Sequence, residues 1–165
     1  LGRIRETYVN TGKVRFVYKN FPILGPDSNR AAEASECAAE QDKFWDFHDY
    51  IFADQMSKHS PLNDETLIDV ADAIGLDTDA FTECLQSDRY TSQIRQEALS
   101  IQSLGVRGTP GFVINGIYIA GAQPFEVFQQ VVEEQLQAIE GTSDQPSPGP
   151  GPVGPQPAGP PSPSG

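Results

Sequence analysis

The stretch VRGTPGFVING, residues 106–116, decides how the chain is read. It begins as a glycine-containing loop and passes through Thr109-Pro110 into a short apolar run. It ends on Asn115-Gly116, a dipeptide that suits the two left-handed positions of a tight hairpin turn. IYIAG follows as the return strand, so 111–115 and 117–121 are expected to pair as a β-hairpin. A proline just before the first strand is punctuation on its own. Only about 5–6% of X-Pro bonds are cis, so the residues by themselves suggest an ordinary trans turn.

The segments on either side are helical. Downstream, Gln123-Pro124 opens a helix carried by Phe125, Phe128, Val131, Val132 and Ile139 to about Glu140. Upstream, a run of helices is expected between about 29 and 104. These are Asn29–Gln41, Phe44–Gln55, a helix capped by Asn63 or Asp64 and closed by Gly75, one from Asp77 or Thr78 to Leu85, and Arg89–Leu104, closed by Gly105. VRFVYKN (14–20) alternates Val14, Phe16 and Tyr18 against Arg15, Val17 and Lys19. It is rich in β-branched and aromatic residues and is expected to be a strand. Residues 1–13 have helical spacing at Leu1, Ile4, Tyr8 and Val9 and a stop at Gly12, but no start signal. A helix feeding a strand is the second half of a βαβ unit, which needs an earlier parallel strand. That strand is expected between 14–20 and 111–115, and this sequence does not contain it.

Of the 165 residues, 141–165 read GTSDQPSPGPGPVGPQPAGPPSPSG, which cannot bury enough apolar surface to offset the entropy of ordering it. The tail is expected to be a disordered spacer, leaving residues 1–140 as the folded domain. The net charge of −12 falls almost wholly on that domain, because the tail contributes only Asp144. An acidic surface repels phosphate backbones and anionic lipid, which argues against nucleic acid or membrane surface as a partner. No apolar run is long enough to span a bilayer.

The ordered segments resemble the DsbA-like thioredoxin-fold disulfide oxidoreductases of the bacterial extracytoplasmic group. They are TGKVRFVYKNFPILG, AAEASECAAEQDKFWDFHDYIF, LNDETLIDVADAIGLDTDAF with FTECL, and LGVRGTPGFVINGIYIAGAQPFEVFQQVVEE. The resemblance covers about residues 1–136. It implies an α/β thioredoxin fold with an all-helical subdomain inserted between its βαβ and ββα halves. It also implies an extracytoplasmic location, secreted proteins as substrates and a membrane redox partner, with no organic cofactor. The family's reactive Cys-x-x-Cys sits at the start of the first helix, where free amides and the helix dipole stabilise a thiolate. Neither it nor the strand before it is in this sequence, and Leu1 falls within that helix, so the chain is expected to be a fragment and inactive as given. Within the resemblance Thr109-Pro110 becomes the cis-proline loop that faces the motif and binds substrate backbone.

Cys37 and Cys84 are the only cysteines and fit neither a Cys-x-x-Cys nor a zinc pattern. Three readings stand for them: a structural disulfide, two buried thiols, or a redox-active pair. Family members with cysteines at both places favour the disulfide. His48 lacks companions for a metal site, and His59 is expected on a loop, so no metal is expected. Phe44, Trp45 and Phe47 suit the core of the insertion or a substrate-binding patch. Two other functions share the fold: a glutathione-dependent isomerase or transferase of the kappa type, and a non-catalytic peptide-binding module.

Overall fold

The computed structural model describes residues 2–58 and 60–143. Helix α1 (Gly2–Ile4) continues as a π-helical turn over Arg5–Val9, in which the Asn10 amide donates to the Arg5 carbonyl at 2.8 Å. Gly12, at φ 74°, then reverses the chain. Tyr8 is 1% exposed; its ring stacks on Phe125 with centroids 6.5 Å apart, and its hydroxyl donates to Glu133 at 2.8 Å. Arg3 lies 3.9 Å from the centre of the Phe125 ring. This first helical segment is thereby fastened to the last helix.

Residues 14–20 depart from expectation. The segment keeps its alternation, with Val14, Phe16, Tyr18 and Asn20 turned inward and Arg15, Val17 and Lys19 exposed. Yet it forms no β-ladder among the described residues. Local composition favours extended backbone, but a strand also needs a second backbone to exchange hydrogen bonds with. Here side chains hold the segment in place. Phe16 meets Trp45 at 5.8 Å, and Tyr18 meets Phe44 at 5.2 Å.

The helical body comprises α2 (Pro26–Ala39), α3 (Phe44–Ser57), α4 (Asp64–Ala73), α5 (Thr78–Gln86) and α6 (Thr91–Ser103). Helix α2 starts earlier than the expected Asn29 because Pro26 takes a first-turn position, where its fixed φ suits the helix and no amide is lost. The side chain of Asn63 accepts the Thr66 amide at 3.0 Å and that of Asp77 accepts the Ala80 amide at 3.0 Å, so both expected caps are made. The core joins Ala34, Cys37 and Ala38 of α2, Phe47 and Ile51 of α3, Leu67, Val70 and Ala71 of α4, and Phe81, Cys84 and Leu85 of α5. Burying each large apolar side chain contributes roughly 1.5–3 kcal/mol. At one edge of this core Arg30 binds Asp64 at 2.6 and 2.8 Å, Glu33 and Asp88 each at 3.0 Å, and the Leu85 carbonyl at 2.9 Å. One guanidinium thus ties α2 to α4 and to the end of α5.

The hairpin pairs β1 (Gly111–Ile114) with β2 (Ile117–Ala120), with Phe112 opposite Ile119 and Ile114 opposite Ile117. Asn115 (φ 47°) and Gly116 (φ 89°) are both left-handed, as a two-residue turn of this kind requires. Helix α7 (Phe125–Ser143) covers one face of the hairpin, where Phe128 meets Phe112 at 4.7 Å. This helix runs past the expected boundary at 140. A glycine such as Gly141 costs a helix only about 1 kcal/mol, whereas proline breaks it, and the first proline of the tail is Pro146. The rest of the expected disordered tail, 144–165, lies outside the described residues.

Candidate functional site

The loop from Gly105 to Pro110 leaves α6 and enters β1. Gly105, at φ 83°, turns the chain out of the helix, and Val106 plugs back into the interior with 5% exposure. The Thr109-Pro110 peptide bond is cis, and both residues are exposed. The Pro110 carbonyl accepts the Gly121 amide at 2.8 Å, which continues the hairpin ladder by one bond. Among the described residues neither the amide nor the carbonyl of Thr109 has a partner. An exposed residue with both backbone groups free, beside a fixed neighbour, can accept and donate to an extended polypeptide.

Cys37 and Cys84 are joined in a disulfide with Cα atoms 5.8 Å apart, and each is 1% exposed. They sit towards the ends of α2 and α5, away from the helix N-termini where a thiolate would be stabilised. Thiol–disulfide exchange needs an attacking thiolate to reach a sulfur. Buried sulfurs at these positions suit a crosslink between two helices.

Phe47 belongs to the core, while Phe44 and Trp45 are half-buried beneath Phe16 and Tyr18. His48 is 9% exposed and is flanked by the rings of Tyr18, Phe44, Trp45 and Phe52. Its Nδ1 lies 2.9 Å from Asp49, whose carboxylate is 3.8 Å from Arg5. The described residues contain no cluster of three or more metal-ligating side chains. His59 lies outside them.

One polar cluster was not foreseen. Glu97 accepts from Lys19 Nζ at 2.8 Å and from the Asn20 amide at 3.2 Å, while Asn20 Nδ2 donates to Glu36 at 2.6 Å. Burial, and then the Glu97 charge, hold the Glu36 carboxyl above its ordinary range. Burial, followed by the charge of Glu36, likewise raises the Tyr18 hydroxyl. The signal available in the sequence was the alternation of 14–20, which turns a polar residue, Asn20, inward.

The profile of a family described as thioredoxin matches residues 1–134. A probable disulfide bond formation protein D of Bacillus anthracis is 30% identical over 82% of this chain and 64% of its own length. A Na(+)/H(+) antiporter NhaA 3 of Salinispora tropica is 36% identical over 68% of this chain but only 17% of its own length. The chain therefore spans less than two thirds of these relatives. Among solved structures, the thiol-disulfide exchange protein alpha-DsbA2 from Wolbachia pipientis superimposes with a TM-score of 0.68 at 28% identity, covering 81% of this chain and 72% of that one.

Proposed function

The chain belongs to the thioredoxin family, in its DsbA-like branch, and from that premise we propose that it serves thiol–disulfide exchange on cysteines of secreted polypeptides, outside the cytoplasm. The observation that carries this reading is the exposed Thr109-Pro110 loop, with the backbone of Thr109 free to hold an extended substrate. In such an exchange a thiolate attacks one sulfur of a disulfide. A mixed disulfide forms, the other sulfur leaves as thiolate, and a second thiol then resolves the intermediate. Cys37 and Cys84 do not supply that dithiol, being buried and already bonded to each other. A Cys-x-x-Cys of the family's type, which this sequence does not contain, supplies it. The Thr109-Pro110 loop then contributes alignment of the substrate, and a membrane redox partner resets the dithiol.

The test extends the chain ahead of Leu1 with a strand and Cys-x-x-Cys of the family's type. Insulin reduction and oxidative refolding of a reduced substrate are then followed. Exchange is expected in the extended protein and is expected to vanish when the added cysteines become alanine. Equal activity in the unextended chain would put the reactive site elsewhere and overturn the reading.

A further inference from the structure

The loop that carries Thr109 leads into Gly111, which has close neighbours where a side chain would begin. This glycine does not have a left-handed φ, so its backbone is open to any residue. What it lacks is space. A Cβ built there would lie 2.9 Å from Val106 Cγ1, 3.2 Å from the Gly108 carbonyl oxygen and 3.2 Å from Tyr118 Cε2. The nearest of these is a short β-branched side chain that is 5% exposed, with no length to swing away. The second is backbone of the loop itself. The ring of Tyr118, two positions along the ladder from the partner of Gly111, closes the third side.

We infer that Val106 and Gly111 are positioning residues that set where the free backbone groups of Thr109 stand, and hence how the loop holds polypeptide. This rests on the proposed role of the loop in substrate binding. The chain from Val106 to Gly111 folds back so that its two ends touch, and Thr109 is at the exposed bend between them. Close packing transmits small changes, because a contact below van der Waals separation must be relieved by movement. A methyl group at 111 pushes on Val106 from one end and on Gly108 from the other, so the movement falls on the loop.

The experiment measures binding of a fluorescein-labelled insulin B chain, reduced and carboxymethylated, to the chain by anisotropy. The blocked thiols leave only non-covalent holding to be read. Gly111→Ala is expected to weaken binding about tenfold or more, the equivalent of one well-placed interaction. The double variant Val106→Ala/Gly111→Ala removes the closest of the three contacts and is expected to recover part of the affinity. Val106→Ile, which crowds the same contact from the other side, is expected to weaken binding even if Gly111→Ala does not fold. Amide shifts of Gly108 and Thr109 should move in both weakened variants and return in the double variant. Undiminished binding by Gly111→Ala and Val106→Ile, or no recovery in the double variant, would overturn the inference and leave the function proposal standing. Absence of binding by the unaltered chain would overturn both.

Discussion

Asn20 shows how one inward polar residue organises its surroundings. Its amide and side chain divide two carboxylates between them, Glu97 and Glu36, and Lys19 neutralises the first of these. Glu36 is left as the costly member, half-buried and next to a like charge. Its folded pKa lies above the ordinary 4.5, so the ionised form costs stability at neutral pH, and that cost is relieved as pH falls through the raised value. Glu36→Gln keeps an acceptor for Asn20 and removes the charge. The variant is expected to melt a few degrees above the wild type at pH 7, with the difference closing once the pH is below 4.5. Thermal melts across that interval check the prediction, and a pH-independent difference would show that the charge is not the cause.

At the scale of the element, residues 14–20 show what an extended segment does without a ladder. Its inward aromatic rings fasten it to α3. Tyr18 touches Phe44 at 5.2 Å, Trp45 at 6.0 Å and His48 at 5.1 Å. The outward Val17 is 52% exposed. Tyr18→Ala is expected to cost about 2–4 kcal/mol, near the range for removing a packed aromatic ring. It should also shift the emission of Trp45, the single tryptophan, towards the red as water reaches it. Val17→Ser is expected to change stability by no more than about 0.5 kcal/mol. Urea titrations read by fluorescence separate the two variants. Equal effects would mean that the alternation does not set the packing.

At the scale of the whole molecule, the Cys37–Cys84 bond crosslinks α2 and α5 across a separation of 47 residues. Closing a loop of that length stabilises by about 4 kcal/mol in the chain-entropy model. Replacing both cysteines by alanine is expected to lower stability by roughly that amount, less whatever repacking recovers. Because each cysteine is 1% exposed, dithiothreitol is expected to leave the folded protein intact and to act only as urea opens it. Urea titrations of the wild type, with and without reductant, and of the double variant decide the matter. A double variant as stable as the wild type would remove the staple from the account.

Much of this was legible in the chain itself. Asn63 and Asp77 mark helix starts because their short side chains accept the free amides of a first turn. Gly75 and Gly105 mark stops, and Asn115-Gly116 marks the hairpin, because those positions need a left-handed backbone. Each is a local preference, written in a few adjacent residues. The family itself was suggested by the resemblance of whole segments in their order, from TGKVRFVYKNFPILG to LGVRGTPGFVINGIYIAGAQPFEVFQQVVEE. The tertiary structure decided what depends on distant parts of the chain. It left 14–20 without a ladder, since a strand is a relation between two backbones. It paired Cys37 with Cys84 among three open readings, and it brought Glu36 and Glu97 together on Asn20. It also showed that Gly111 is bounded by Val106, Gly108 and Tyr118, a matter of space that exists only once the loop has closed on itself.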